Sequence, residues 1–326
     1  MKFYHLLIAL PVLALFSCDK IKNLTNKAAS TLEKKISNTS GETTVDSALM
    51  KLVDQTAEGV IFRKDLPFPN NIGVTVTRKA VLSGQYSEKS ELGKQINAVK
   101  GTTTTVVKLE RKDDKVSYSL VKSNFEKPLT KEEVAKSKPP EVIEIYPPNK
   151  EPYVFVKSGN TWKPANATDF RIAALSQEIC PVFDQLLTDN GLAPPNQWFG
   201  KHRIKTGDSL TISDKNLNMF FAGYATGALK LTFESIADVS GHPCGVFAIS
   251  GRYNRKHFAN FQGNLADEDV TIQSGKIWLS LLYPVVLRME ADTISTQRGG
   301  SPGGLVTGIQ GSVMASMLVD WKKTGP

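Results

Sequence analysis

The sequence predicts an α+β fold, predominantly an antiparallel β-sheet with a few packed helices, and three observations carry that prediction. Apolar residues with a period of two dominate the second half: Leu229, Leu231 and Phe233 alternate with Lys230, Thr232 and Glu234, the pattern of a sheet with one dry and one wet face. The connections between such runs are short, and short turns join only antiparallel neighbours. Apolar spacing of three and four residues, the mark of a core-facing helix, is clearest in two stretches, one near Leu49 and one over residues 168–189.

Residues 1–17 open with the cation Lys2, continue as an apolar run over 6–16 and end at Ser17, the layout of a signal peptide. The run is well short of the ~20 residues that cross a bilayer, and Pro11 interrupts it. Leu15-Phe16-Ser17-Cys18 resembles the lipobox of bacterial lipoproteins, in which an apolar and a small residue precede the cysteine that takes the lipid. The resemblance implies diacylglycerol on the Cys18 sulfur, cleavage between Ser17 and Cys18, and a fatty acyl group such as palmitate on the new amino terminus. Each buried acyl methylene contributes about 0.8 kcal/mol, and two or three chains hold a protein on a membrane almost permanently. Cys18 therefore sets the expected location, the bacterial cell envelope. Asp19 resembles an inner-membrane retention signal in some bacteria and a surface-display signal in others, so the membrane and the leaflet stay open.

Residues 18–44, rich in Lys, Asn, Thr and Ser, bury too little to fold alone and read as a lipidated tether, with Ile21, Leu24, Ala28, Leu32 and Ile36 at loosely helical spacing. Residues 45–125 read as a helix followed by strands. Asp46 caps the helix, Leu49, Met50, Leu52 and Val53 form its apolar face, and Gly59 stops it. Strands are expected over 72–77, 104–110 and 116–122, the last two joined by a turn at Asp113-Asp114. Residues 126–152 carry Pro128, Pro139, Pro140, Pro147, Pro148 and Pro152 and read as a Pro-rich linker or excursion.

Residues 153–326 begin with a hairpin turning at Ser158-Gly159-Asn160. A helix over 168–189 follows, with Ile172, Leu175, Ile179, Val182 and Leu186 on one face, a bend at Pro181 and a stop at Gly191. The remainder is an antiparallel meander: 229–233, a turn at Ser240-Gly241, 245–250, 270–272, a turn at Ser274-Gly275, 277–282, 286–294 and 305–321.

The chain has 326 residues and a formal charge of +8; removal of residues 1–17, which carry only Lys2, leaves about +7. Its lysines are dispersed and form no basic cluster interleaved with aromatics, which speaks against nucleic acid as a partner. Gly207-Asp208-Ser209-Leu210 resembles a hydrolase motif whose serine is the nucleophile. That family carries an Asp-x-x-His near its end, and none follows Ser209 here; a serine without a base is a poor nucleophile. His5 leaves with the signal, and His202, His242 and His257 have no partner at ligand spacing and fit exposed polar roles. Asp267-Glu268-Asp269 reads as a solvated turn, and Gly304, Gly308 and Gly311 as a glycine-tolerant strand without the helix a phosphate loop needs. No catalytic, metal or cofactor site is assigned. With Cys18 lipidated, Cys180 and Cys244 remain; in an oxidising envelope they form a disulfide or stay as two separately buried thiols, and both readings are open.

The stretch 275–290, preceded by the strands at 231–234 and 244–249, is similar in order to uncharacterised envelope lipoproteins and to the curved half-barrels of bacterial lipoprotein carriers and receptors. That resemblance implies a half-barrel-like antiparallel sheet wrapped around helices, with an apolar concavity able to hold acyl chains. The expected function is a non-catalytic envelope lipoprotein, held on the membrane by its anchor and binding an apolar or amphiphilic ligand, either lipid or another lipoprotein. The alternative is a structural or protein-interaction lipoprotein with a packed sheet core, and a third reading is a hydrolase using Ser209. Whether Leu229, Leu231 and Phe233 line a cavity or a packed core separates the first two.

Overall fold

The computed structural model describes residues 47–63, 65–66, 69, 71–90, 93–159, 161–165, 202–214, 217, 224–258, 265–283, 285–299 and 306–322. Cys18, the tether, the helix expected over 168–189 and Cys180 lie outside the described residues.

Strands β1 (Asp54–Thr56) and β2 (Gly59–Ile61) form a small hairpin. One antiparallel sheet takes in β3 (Asn71–Ser90), β4 (Gly93–Lys112), β5 (Lys115–Glu126), β6 (Val142–Glu144), β7 (Tyr153–Ser158), β8 (Thr161–Pro164), β9 (Ser209–Ser213), β10 (Tyr224–Val239), β11 (His242–Phe258), β12 (Leu265–Ser280), β13 (Val286–Gly299) and β14 (Val306–Lys322). Its order is β8-β7-β5-β4-β3-β14-β13-β12-β11-β10-β9, with β6 paired to β5. Strands from both sides of the Pro-rich stretch thus enter one sheet through the β3–β14 pairing. The long strands are rich in β-branched residues, as at 102–107 in β4, and at ~3.3 Å per residue β3 runs for about 65 Å.

Alternation decides the faces. Ile72, Val74 and Val76 of β3, Val107 and Leu109 of β4, Val116 and Tyr118 of β5, Leu229, Leu231 and Phe233 of β10 and Val319 and Trp321 of β14 share one buried side. The β1–β2 hairpin covers one end of it with Val60 and Phe62, held by paired backbone bonds between Val60 and Ile204 at 2.8 and 3.0 Å. The sheet is curved. Its concave side brings Arg78 of β3 near enough to Tyr253 of β11, four strands away, for the guanidinium charge to act on the phenol.

Four expectations are corrected. Among the described residues the helices are two short ones, α1 (Ser47–Met50) and α2 (Lys131–Ala135), so the described part of the molecule is all-β in character and not α+β with packed helices. The helix read over 46–59 is a single turn followed by β1 and β2. Ser274-Gly275 is no turn: β12 runs through it with a register slip between Ile272 and Ser274, a bulge, for which the same residue types are favoured. Asp267-Glu268-Asp269 is no solvated turn either, because it lies inside β12 and alternation buries Glu268. The turns at Asp113-Asp114 and Ser240-Gly241 form as read, with Asp113, Ser240 and Gly241 at positive φ. The Pro-rich stretch contains α2, with a capping box between Thr130 and Glu133, and β6.

Candidate functional site

Two extra residues interrupt the ladders between β10 and β13: one in β10, between Phe233 and Ser235, and one in β12, between Ile272 and Ser274, which displaces the register of β12 against both β11 and β13. A bulge bends and over-twists its strand. Gly251 of β11, opposite Ile272, takes φ +139°, and a Cβ there would lie 2.3 Å from the Ala228 carbonyl oxygen. Beside these bulges lies a groove of about 530 Å³ crossing β10 to β14.

Gly275, Ala291 and Ala315 pair in one row across β12, β13 and β14 whose side-chain positions face the core beside Ile249, so this row meets the groove with its backbone. The next row, Lys276, Glu290 and Ser316, and the row before, Ser274, Asp292 and Met314, supply its polar wall. Lys276 Nζ donates to Glu234 Oε2 at 2.7 Å. Arg288 donates to Glu290 Oε1 and lies 4.6 Å over the Trp278 ring. Burial pushes the Asp292 carboxyl above its ordinary pKa.

The residues singled out from sequence do not gather here. Leu229, Leu231 and Phe233 are in the packed core, with Phe233 5.3 Å from the Phe247 ring. Ser209 is exposed at the start of β9, and its hydroxyl shares a hydrogen bond of 2.9 Å with Thr232 Oγ1; Asp208 accepts from the Lys205 backbone in the turn before it. His202 is exposed. His242 is not the exposed turn residue expected: it is buried against Trp321 and Tyr283, with ring centroids 4.8 and 6.5 Å away. The His257 side chain lies outside the described residues. Cys244 is buried, its thiol donating to the His242 carbonyl at 3.4 Å, while Cys180, its proposed partner, is not among the described residues. No group of three or more metal-ligating side chains occurs among the described residues.

A second polar cluster sits on the concave side. Arg255, Glu268 and Gln297 lie opposite one another across β11, β12 and β13. Arg255 Nε donates to Glu268 Oε2 at 2.5 Å, and Ser295 Oγ donates to Glu268 Oε1 at 2.7 Å. Sequence reasoning missed both places, since their residues come together only through strand register. The Ser274-Gly275 signal was the one local pointer to the groove.

The sequence matches no protein-family model, and no curated protein matches it.

Proposed function

We propose that this chain is a non-catalytic, lipid-anchored protein of the bacterial envelope whose half-barrel-like sheet binds an amphiphile in the groove across β10 to β14. The observation that carries the reading is the groove itself. Its volume of about 530 Å³ falls within the ~300–1,000 Å³ of small-molecule sites. Ala248 and Met314 offer apolar contact to a short hydrocarbon chain, and Lys276, Glu290 and Asp292 on the same face suit a polar head. A lipid anchor at Cys18 would hold this groove where amphiphiles are concentrated. The site differs from the first expectation, because Leu229, Leu231 and Phe233 are packed and leave no room beneath them.

Native mass spectrometry of the mature protein from its host tests the reading. A co-purified amphiphile is expected, and Ser316→Trp, which fills the groove, should displace it; lipid retained at full occupancy in that variant would move the site elsewhere. Cys18→Ala should shift the protein from the membrane to the soluble fraction, and an unaltered membrane fraction would refute the anchor. The packed core also favours a second reading, an interaction lipoprotein that contacts another protein through its surface. A protein partner that co-purifies undiminished with the Ser316→Trp variant, with no lipid on either form, would select it.

A further inference from the structure

The two bulges build the wall of the groove. In β12, Ile272 and Gly275 both face the core although they stand three residues apart, so Gln273 and Ser274 between them both turn to the groove side, where both are exposed. In β10, Phe233 and Ile236 both pack on the core, so Glu234 and Ser235 turn out together. The bulge in β10 thereby supplies the carboxylate that meets Lys276 at 2.7 Å, and Arg288 meets Glu290 likewise. The bulge in β12 supplies neutral groups that are left uncommitted. Gln273, Ser274, Ser250 of β11 and Ser316 of β14 make no side-chain hydrogen bond among the described residues, and Asp292 of β13 has neither a hydrogen bond nor an ion pair among them.

Ser250, the pair Gln273 and Ser274, and Asp292 lie at one level on the adjacent strands β11, β12 and β13. Neighbouring strands are ~4.8 Å apart, so the outer two of these lie about 10 Å from each other, the width of one sugar ring with a hydrogen bond on either side. We propose that the groove takes a neutral polyhydroxyl group, a glycosyl or glycerol unit, its hydroxyls shared among Ser250, Gln273, Ser274 and Asp292 and its carbon skeleton against Ala248 and Met314. The inference rests on the groove reading above and adds the class of head group; the same chemistry admits the head of an amphiphile or a free saccharide. A hydroxyl both donates and accepts, so a polyol answers the carboxylate, the amide and the serines together. An anionic head only accepts and would lie against Asp292, while Lys276 and Arg288 are already engaged by carboxylates. An ammonium head only donates and leaves the Gln273 amide N–H groups unanswered.

Calorimetric titration of the intact mature protein with octyl glucoside, octylglycerol, octanol, octylamine and octanoate, each below its micelle concentration at neutral pH, separates the heads at one chain length. At least one of the two polyols should bind about tenfold more tightly than octanol, which is about 1.4 kcal/mol or one net hydrogen bond, and more tightly than the amine and the carboxylate. Ser250→Ala combined with Gln273→Ala should bring that polyol to about the level of octanol. Both positions are exposed, where truncation has little effect on folding, and the urea midpoint checks it. Gln273→Leu, which keeps bulk and loses both amide atoms, should weaken the polyol in the same direction as a second variant. Methyl glucoside binding as tightly as octyl glucoside would support the polyol class with a free saccharide as its source; weaker binding without the chain would support the head of an amphiphile. Octanol equal to both polyols, an amine tighter than both, or a preference that survives both variants overturns the inference while leaving the groove intact. Failure of every probe to bind overturns the groove and the inference together.

Discussion

Gln297 is 1% exposed, and neither atom of its amide has a hydrogen-bond partner. Its neighbour across the ladder, Glu268, is equally buried but well compensated, with Arg255 on one oxygen and Ser295 on the other. The contrast sets two opposite expectations. Leaving a buried polar group unpaired costs about 1–3 kcal/mol, and methionine has a similar volume with no donor to satisfy, so Gln297→Met should raise the urea midpoint. Glu268→Gln should lower it, because Arg255, only 16% exposed, keeps its charge and loses its counterion; removing one partner of a buried pair costs about 3–5 kcal/mol, an upper bound here. Equilibrium urea unfolding of both variants is the check. A lowered midpoint for Gln297→Met would show that the amide is satisfied within the folded protein, by water or by protein.

At the scale of the element, the seam between β3 and β14 is the least regular part of the long sheet. The two strands pair at 306–307 with 88–89 and at 319–322 with 73–76, in one unbroken register, yet residues 311–318 and 77–84 between them form no ladder pairs among the described residues. On its other side the same part of β14 is fully paired with β13. Successive amides of a strand point to opposite neighbours, so amide exchange followed by NMR should alternate over 311–318. Those directed at β13 should be protected, and those directed at β3 should exchange quickly. Uniform protection would mean that the seam is closed in solution. Local grammar could not have found this seam, and it explains which elements could be read in advance. The turns at Asp113-Asp114, Ser158-Gly159 and Ser240-Gly241 were legible because a positive φ is a property of a few adjacent residues. Leu49, Met50, Leu52 and Val53 fit a helix or a strand over so short a run, and the β1–β2 hairpin is secured by Ile204, far along the chain. Ser274-Gly275 misled because a turn and a bulge draw on the same residues. The groove was illegible for a stronger reason: Thr232, Lys276, Glu290 and Ser316 are ordinary in their own strands and meet only through register.

For the whole molecule, the decisive pairing is that of Val74 and Val76 with Trp321 and Val319. It joins the first long strand of the sheet to the last, and all four side chains belong to one buried cluster that also holds Phe155 from β7 and Leu231 from β10. Strands before and after the Pro-rich stretch therefore bury the same apolar surface. Neither set can expose its part without uncovering the other's, which is the condition for cooperative unfolding. Chemical denaturation should accordingly show one transition, with tryptophan fluorescence and far-ultraviolet dichroism coincident. Trp321→Ala removes a buried aromatic at the junction, at a cost of about 3–5 kcal/mol, and should lower that single midpoint without splitting it. The pairing also brings together distant parts of the chain, whose closure must be completed before the contacts repay it, so refolding should be slow for the domain's size. Two resolved transitions in the unaltered protein would mean that residues 71–165 and 202–322 stand independently and that the β3–β14 contact is an interface between two bodies. A split appearing only in Trp321→Ala would place the coupling in that one side chain.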